Sequence, residues 1–336
     1  MEQNNLLVTI ADKNYIEQAK QVFSGAYFNA GWDGDFMLLT SNDVPEEKLK
    51  WFRSHGIIVN EKEPLFKNEV GGYNPILTHK FYLFTPEFKK WDVVIYIDAD
   101  TIIRKSLERL KRTKKFSAVK NCCTFKIKDE IINKEDLVKR GLSAEEFIDK
   151  IEILKKICNL NKPAFSAGFF AFNTGIIKGN RLKEKLICLI SKYDKISKWG
   201  EQLEFNLAFP DWRKISPIYN FYIIENKNKT KLKNKEIRPI ILHITGRLKP
   251  WDKQSYFYEE WLNNLRKADG VNTKHKLKRK KNSKKCKFFH SVYLDSRIFL
   301  FNTIFFLDEK IGKIGLIIKK ISPKTYYFLK KFKKIS

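Results

Sequence analysis

The stretch Val93-Val94-Ile95-Tyr96-Ile97-Asp98-Ala99-Asp100 decides how this chain is interpreted. Five consecutive apolar residues are typical of a strand that is buried on both faces, as in a parallel sheet. Two carboxylates follow directly, one residue apart, where a loop beyond the strand end can expose them. Carboxylate oxygens are ligands that Mg²⁺ and Mn²⁺ prefer. An Asp-x-Asp triplet by itself is a weak signal, because about one is expected by chance in a chain of this size, and a surface turn is the alternative.

Outward from this strand, apolar runs of strand length alternate with helical patterns of apolar residues. The runs lie at residues 6–10, 36–40, 57–59, 165–172 and 239–243, and the helical patterns lie at 16–29, 45–54, 75–84, 143–157 and 181–193. This alternation predicts an α/β fold with a mostly parallel central sheet flanked by helices. In such sheets ligands bind beyond the carboxyl ends of the strands. Asp12 and Asn14 also follow a strand end, so we expect them to lie near Asp98 and Asp100.

A second motif, His243-Ile244-Thr245-Gly246-Arg247-Leu248-Lys249-Pro250-Trp251, begins at the end of the last apolar run. Its histidine would add a third metal ligand, and imidazole favours Mn²⁺ over Mg²⁺. Gly246 allows the backbone to approach a phosphate closely, and Lys249 can neutralise the phosphate charge. A buried structural histidine and a turn with a packed tryptophan are the alternatives. Together with Asp98 and Asp100, the motif predicts a divalent metal that holds a nucleotide diphosphate.

Five motifs of the chain occur in the order in which they occur in glycosyltransferase family 8, which contains the glycogenins and bacterial lipopolysaccharide galactosyl- and glucosyltransferases. The motifs are Ala11-Asp12-Lys13-Asn14-Tyr15, Asp98-Ala99-Asp100, Phe172-Asn173-Thr174-Gly175, Glu201-Gln202 with Asn206, and His243 to Trp251. The chain resembles the family over about residues 5 to 265, and the last motif is the most specific. The resemblance implies a GT-A-type nucleotide-diphospho-sugar transferase fold, a UDP-sugar donor, Mn²⁺ (with Mg²⁺ as the alternative) and transfer that retains the anomeric configuration.

The resemblance also implies which residues bind the metal and the donor. Asp98, Asp100 and His243 would hold the metal and, through it, the donor. Further donor-binding residues would be Ala11, Asp12, Asn14, Tyr15, Lys80, Ala99, Asn173, Thr174, Gly175, Gln202, Gly246 and Lys249. Within this set, Tyr15 would stack on the uracil, and Asn173 and Gly175 would line the sugar site with Gln202.

Three residues are the catalytic candidates that the resemblance implies, namely Glu201, Gln202 and Lys249. Lys249 would stabilise the negative charge that develops on the leaving diphosphate. Glu201 is the nearest candidate for an enzyme nucleophile, by analogy with retaining glycosidases. Attack by the acceptor on the same face of the sugar needs no such residue, and we prefer it. The family usually has Asp in place of Glu201, and the stretch between Asp100 and Asn173 is long, so the sugar, the acceptor and the linkage stay open.

The charge is distributed unevenly along the chain. The 336 residues include 66 Lys and Arg against 38 Asp and Glu, a formal net charge of +28, and 43% hydrophobic residues are ample for a large core. Residues 271–336 alone contain 19 basic and 3 acidic residues. We therefore expect a catalytic domain over residues 1–268 with a helical insertion at about 126–160, a basic linker at 269–287 and a basic amphipathic helical tail at 288–336.

The basic tail suits an anionic membrane surface, because lysines interleaved with apolar residues bind such surfaces. Nucleic acid is the less favoured partner, since no nucleic-acid recognition motif is present, and a solvated tail is the third interpretation. The polar N-terminus has no secretory signal, and the five cysteines have no disulfide spacing. These features predict a cytoplasmic enzyme that is peripherally associated with the inner face of the membrane.

The sequence and the resemblance together predict transfer of glucose or galactose from a UDP-sugar to an oligosaccharide or glycolipid acceptor, with lipopolysaccharide or another cell-surface oligosaccharide as the expected class. Two other classes stay open. A nucleotidyltransferase also uses paired aspartates and a metal, but it leaves the His243 to Trp251 motif unexplained. A catalytically inactive GT-A scaffold would act as a basic protein that binds membrane or nucleic acid.

Overall fold

The computed structural model describes residues 4–121, 124–224 and 239–273. Within these residues the strands are β1 (Asn5–Ile10), β2 (Asp35–Ser41), β3 (Ile58–Lys62), β4 (Val93–Ile97), β5 (Thr101–Ile103), β6 (Ser117–Lys120), β7 (Phe165–Asn173), β8 (Arg213–Ile215), β9 (Phe221–Ile224) and β10 (Ile241–Thr245). The α-helices are α1 (Ile16–Ser24), α2 (Glu46–Ser54), α3 (Ala144–Ile157), α4 (Arg181–Tyr193), α5 (Gln202–Ala208) and α6 (Tyr258–Arg266). The pattern predicted as a helix at 75–84 is a 3₁₀ helix, Pro75–Phe84, with Pro75 in its first turn.

Seven strands form the central sheet in the order β3-β2-β1-β4-β7-β6-β8. The pairs β1–β2, β2–β3, β1–β4 and β6–β8 are parallel, whereas β7 is antiparallel to both of its neighbours. Each of β1, β2 and β4 is buried along almost its whole length, as expected for strands that are covered by helices on both faces. The predicted α/β fold with a mostly parallel sheet is confirmed.

A second sheet of three strands, β5-β10-β9, lies beyond the carboxyl end of β4. Strand β10 pairs antiparallel with β5, and this register sets His243 opposite Thr101, the residue that follows Asp100. Strand β10 also pairs parallel with β9, so that His243 is opposite Tyr222. The small sheet therefore carries the predicted histidine to the edge at which the two predicted aspartates leave the central sheet.

The segment from residue 126 to 160, which was expected to be a helical insertion, contains short 3₁₀ turns and the helix α3. Helix α3 begins with a capping box, in which the Ser143 hydroxyl accepts from the Glu146 N–H at 3.1 Å and the Glu146 carboxylate accepts from the Ser143 N–H at 3.1 Å. A hydrophobic cluster of its own includes Leu154 of α3 and Leu203 of α5. The segment is thus packed against the helix that begins with Gln202.

The chain divides into two compact units, residues 1–215 with 219–278, and residues 216–218 with 279–336. The first unit contains both sheets. The predicted tail at 288–336 and most of the predicted linker at 269–287 lie outside the described residues. Among the described residues, no helix has the length and the apolar character that a membrane span requires.

Candidate active site

Asp98, Asp100 and His243 come together at the carboxyl edge of β4. One ligand atom from each lies within 4.8 Å of the others, and no other group of His, Cys, Asp and Glu side chains in the described residues forms such a cluster. His243 Nε2 lies 3.0 Å from an Asp100 carboxylate oxygen and 3.9 Å from an Asp98 carboxylate oxygen. Two carboxylates and one imidazole are a donor set that suits a divalent transition metal such as Mn²⁺. The residues present therefore fit the metal that was predicted.

The ring of His243 is held from its far side. Its Nδ1 lies 2.9 Å from Asn220 Oδ1, and the Tyr222 ring stacks on the imidazole with centroids 4.6 Å apart. An N–H that Nδ1 donates to the Asn220 oxygen leaves the Nε2 lone pair directed at the two carboxylates, as in metal-binding histidines. Neither Asn220 nor Tyr222 stands in a motif that the sequence made recognisable.

Asp98 is fixed by groups beneath it in the sheet. Its backbone N–H donates to the Gly168 carbonyl at 2.9 Å, and one carboxylate oxygen accepts from the Tyr96 hydroxyl. Lys80 Nζ lies 3.4 Å from the same carboxylate oxygen. The carboxylate is therefore oriented from below and presents its other oxygen to His243.

Lys80 also forms an ion pair with Glu201, and both side chains are buried. Burial opposes the charge on Lys80, but the carboxylates of Asp98 and Glu201 outweigh it, so the pKa of Lys80 is raised. Burial raises the pKa of Glu201, and the charge of Lys80 lowers it in part. The Glu201 carboxylate is thus occupied by a buried ammonium group, and Lys80 lies under the carboxylates.

Lys249 lies on the other side of the cluster formed by Asp98, Asp100 and His243. Its Nζ donates to Asp100 at 2.7 Å. Burial alone would raise the pKa of Asp100, but the charges of His243 and Lys249 outweigh it and hold that pKa well below its usual range. Asp100 is therefore ionised at any physiological pH. The backbone of Gly246, between His243 and Lys249, has φ of 104°, a conformation that favours glycine.

The residues after β1 form a shallow wall next to this cluster. Asp12 accepts from the Asn14 N–H at 2.9 Å and from the Asn74 side-chain amide at 2.9 Å. Tyr15 is 38% exposed, and the edge of its ring meets Trp251 at a centroid distance of 5.5 Å. Ala11, which is buried, holds the wall to β2 through its N–H, which donates to the Leu39 carbonyl at 3.3 Å. A partly exposed tyrosine beside a tryptophan is a surface on which a flat base can stack.

Asn173, Thr174 and Gly175 are not part of the cluster, contrary to the position that their motif implied. Strand β7 is antiparallel to β4, and the register sets Asn173 opposite Val93, the first residue of β4, whereas the aspartates follow its last residue. Thr174 donates its hydroxyl to the Trp91 carbonyl, and the Asn173 side chain accepts from the Gly175 N–H at 2.9 Å. The three residues therefore terminate β7 at the opposite edge of the sheet.

The other end of β7 enters the cluster instead, and the sequence analysis missed it. Gly168 leaves no room for a side chain, because a Cβ there would lie 2.6 Å from Asp98 Oδ2 and closer still to His243 Cε1. Its N–H donates to the Ser166 hydroxyl at 3.1 Å, and that hydroxyl shares a hydrogen bond with the Tyr222 hydroxyl. The signal that could have found this end is a glycine inside an apolar strand, which marks a close approach of another group.

Glu130 is a second residue that the sequence analysis missed. Its carboxylate is buried and accepts from Gln202 Nε2 at 2.6 Å, from Asn121 Nδ2 at 3.2 Å and from the Thr124 hydroxyl. The Gln202 oxygen accepts from the Ala167 N–H at 3.3 Å. These bonds fix the orientation of the Gln202 amide, with its nitrogen directed at Glu130 and its oxygen directed at the Ala167 N–H. Burial raises the pKa of Glu130 to about 7, despite the hydrogen bonds that lower it.

Comparison with solved structures defines the class of the fold. The chain is similar to the bifunctional glycosyltransferase WbbM in its apo form, with a TM-score of 0.56, 16% identity, and coverage of 79% of this chain and 50% of WbbM. It is similar to the galactosyltransferase LgtC in complex with donor and acceptor sugar analogues, with a TM-score of 0.54, 15% identity, and coverage of 77% and 95%. Apo GlyE of Streptococcus pneumoniae TIGR4 gives a TM-score of 0.54, 20% identity, and coverage of 78% and 60%. The fold is of the GT-A type, and this chain spans about half the length of WbbM.

The family follows from the sequence itself. The family model for glycosyl transferase family 8 matches residues 7–255, well over half of the chain. The chain belongs to glycosyltransferase family 8, and it is a glycosyltransferase. No curated protein matches it significantly. The nucleotidyltransferase alternative is no longer needed. It left the motif from His243 to Trp251 unexplained, whereas membership of family 8 explains it.

Proposed function

We propose that this chain is a metal-dependent, retaining hexosyltransferase that uses a UDP-sugar donor, with glucose or galactose as the sugar. The observation that carries the proposal is the convergence of Asp98, Asp100 and His243 in a chain of family 8. Mn²⁺ is the favoured metal, because an imidazole belongs to the ligand set. The metal would be held by these three side chains, and when bound it would supply a Lewis acid for the diphosphate.

Lys249 would act on the leaving group. The reaction separates a nucleoside diphosphate from an anomeric carbon, so negative charge builds on the phosphate oxygens in the transition state. Lys249 Nζ is 2.7 Å from Asp100. Burial lowers the pKa of Lys249, but the charge of Asp100 and its hydrogen bond outweigh burial, so that the pKa is raised. A permanent positive charge beside the metal ligands favours the departing diphosphate. The positive φ of Gly246 gives the same loop a close backbone approach.

The base and ribose of the donor would bind at the wall formed by Asp12, Asn14 and Tyr15. The partly exposed ring of Tyr15 would stack on the uracil, and Asp12, with its two hydrogen bonds, would accept from the ribose. We keep no donor role for the Asn173 motif, since it terminates β7 at the far edge of the sheet.

Attack by the acceptor on the face from which the diphosphate leaves is the mechanism we favour. Glu201 is 3% exposed and ion-paired with Lys80, so its carboxylate is not free to form a glycosyl bond. Gln202 would contact the sugar with an amide whose orientation Glu130 and the Ala167 N–H fix. An amide is a weak nucleophile, and its suitable role is to orient the sugar and to stabilise positive charge at the anomeric carbon through its oxygen.

The acceptor we propose is an oligosaccharide or glycolipid of the bacterial cell surface. The support is the family, together with the likeness of the fold to LgtC and WbbM, of which the former is a galactosyltransferase. The basic residues 271–336 support a location at the inner face of the membrane, since 19 of them are Lys or Arg and 3 are acidic. That location is a proposal from charge alone.

Release of UDP from UDP-glucose and UDP-galactose, measured with Mn²⁺, with Mg²⁺ and with EDTA, tests the proposal without knowledge of the acceptor. We expect metal-dependent turnover of one donor that falls by at least about 100-fold in Asp100→Asn, because the loss of a mere supporting partner already costs 10- to 100-fold. Asp211→Asn is the matched control, since this carboxylate is 92% exposed and pairs at 3.6 Å with Lys162. Equal turnover in EDTA and in Mn²⁺ would exclude a metal-dependent enzyme, and no turnover of either donor would support the inactive scaffold.

A further inference from the structure

A groove of about 890 Å³ lies between α3 and the segments that flank it, residues 128–133 and 158–161. Its walls are mostly apolar and include Ile131, Phe147 and Ile151. This volume is in the range of sites that bind small organic molecules. None of the catalytic candidates lines the groove, so it is not part of the site described above.

The polar side chains that could bind an anion at the groove are lysines. Lys128, Lys155 and Lys156 line it, and no acidic residue does. Lys155 pairs with Glu152 at 2.7 Å, whereas Lys128 and Lys156 have no ion pair with a described residue. A groove with an apolar interior and an uncompensated positive edge is complementary to an amphiphile with an anionic head.

Helix α3 also exposes apolar side chains, one of which lines the groove. Ile148 and Ile153 are each 50% exposed and Ile157 is 58% exposed, and Ile157 lines the groove itself. Exposed apolar residues that lie together with lysines on one helix are typical of surfaces that contact lipid. A sugar acceptor without a lipid gains less from isoleucines than an acyl chain does, because its hydroxyls lose hydrogen bonds to water when they are buried against them.

The groove is connected to the catalytic residues through its own wall. Lys128 lines the groove, and two residues later Glu130 accepts the hydrogen bond from Gln202. Leu203, the neighbour of Gln202, packs in the same hydrophobic cluster as Ile131 and Ile132. A molecule bound in the groove therefore rests on the segment that orients the amide proposed to contact the sugar.

We propose that this groove binds the lipid part of an anionic, lipid-linked acceptor. An acyl or prenyl chain lies on Ile131, Phe147 and Ile151, and the phosphate of the head group is bound by Lys128 and Lys156. The inference rests on the proposed function, since it names the class of acceptor. The chain's own C-terminal residues are a poor occupant, because residues 271–336 are strongly basic and the groove carries the same charge.

The test uses the full chain and a soluble, monomeric probe, dihexanoyl phosphatidic acid, in isothermal titration calorimetry. The basic residues 271–336, proposed above to contact the membrane, contribute lipid binding that the wild type and the variants share. Beyond this shared component, we expect the double substitution Lys128→Glu with Lys156→Glu to weaken binding by at least tenfold, since two attractive charges become repulsive. The exposed Lys178→Glu, outside the groove, is the matched control and should bind as the wild type does. Inorganic phosphate alone should bind much more weakly than the lipid. Equal binding of the lipid by the wild type and the double variant, no binding by the wild type, or equal binding of phosphate and lipid would each overturn the proposal.

Donor hydrolysis separates this proposal from the proposed function. The double variant should release UDP from the donor at the wild-type rate, because both lysines lie outside the metal and donor site. Loss of UDP release in the double variant alone would mean that the substitutions disturb Glu130 and Gln202. This result would overturn the proposal that the groove serves only the acceptor. Absence of UDP release from the wild type would overturn the proposed function, whatever the calorimetry gives for the lipid.

Discussion

Replacing Gly168 by alanine is expected to remove metal binding while the fold is kept. A Cβ at this position would lie 2.6 Å from Asp98 Oδ2 and still closer to the His243 ring. The backbone of Gly168 is an ordinary part of β7 and has no positive φ, so alanine itself causes no backbone strain there. The substitution therefore acts on the two side chains, both of which are predicted metal ligands.

The magnitude follows from how far these side chains must move. Ordinary contact with a Cβ begins near 3.4 Å, so the Asp98 oxygen has to withdraw by about 0.8 Å and the His243 ring by more. Metal–ligand distances tolerate only about 0.2 Å. At least one ligand is then lost, and since disturbing a supporting partner costs 10- to 100-fold, the Mn²⁺ dissociation constant should rise by about 100-fold or more.

The assay is titration with Mn²⁺, followed by electron paramagnetic resonance of the free ion, with thermal unfolding measured in parallel. Gly175→Ala is the matched control, because a Cβ there would lie 2.8 Å from Asn173 Oδ1, again a close contact with a carbonyl oxygen on the same strand, but at the opposite edge of the sheet. It should bind Mn²⁺ as the wild type does. Binding by Gly168→Ala within about threefold of the wild type would refute the reasoning, because the cost above is at least tenfold for any displaced partner.

Two further substitutions test residues whose roles depend on burial. Burial raises the pKa of Glu130 from 4.5 to about 7, so its contribution to stability is full below pH 4.5 and is lost as the pH rises through 7, by up to about 3 kcal/mol. Thermal unfolding from pH 5 to 8 should therefore show the wild type losing stability relative to Glu130→Gln, and a pH-independent difference would contradict this. Glu201→Gln should release UDP within about tenfold of the wild type, since the carboxylate is already paired with Lys80; a fall beyond about 100-fold, the scale of a lost catalytic group, would restore Glu201 as a candidate nucleophile.

The carboxyl edge of the sheet could be predicted because its signals are local. A run of five apolar residues ends at Asp98, another ends at His243, and a strand end in a parallel sheet places its polar neighbours at one edge. The structure brings both aspartates and the histidine together there. The sequence analysis did not predict β5, whose three residues pair with β10 and set the distance between Asp100 and His243.

The sequence analysis placed the Asn173 motif at the wrong edge of the sheet, and the reason is physical. Strand β7 is apolar along its length, and a strand that is buried on both faces has the same pattern whether it runs parallel or antiparallel to its neighbour. The resemblance to the family implied that the end of this strand lies at the sugar site, and the apolar pattern could not correct that placement. Because the strand is antiparallel to β4, its beginning lies near Asp98, and Gly168 instead of Asn173 contacts the predicted metal ligands.

Glu130 could not have been predicted from local pattern, since it is one of several acids in a charged segment. Its role depends on a hydrogen bond with Gln202, which is 72 residues away in the sequence. It also depends on burial, which a segment rich in charged residues does not predict. The groove beside it depends in the same way on how α3 packs. The proposed acceptor side of the molecule is therefore specified by tertiary contacts, whereas the proposed donor side is specified by strand ends.

The charges of the proposed donor site would allow a metal and an anionic donor to bind at the same place. Asp98, Asp100 and Glu201 contribute three carboxylates, and Lys80 and Lys249 contribute two ammonium groups, linked by the ion pairs described above. With His243 in the neutral form that a metal ligand takes, these groups carry one negative charge, which repels a diphosphate. With a divalent metal the same cluster carries one positive charge, which attracts it. Lys80 is buried under this cluster and cannot leave it, so it reduces the negative charge without competing for the donor. On the proposed function, the buried Lys80 and the more exposed Lys249 together would set the charge at which a metal binds to the carboxylates and a diphosphate binds to the metal.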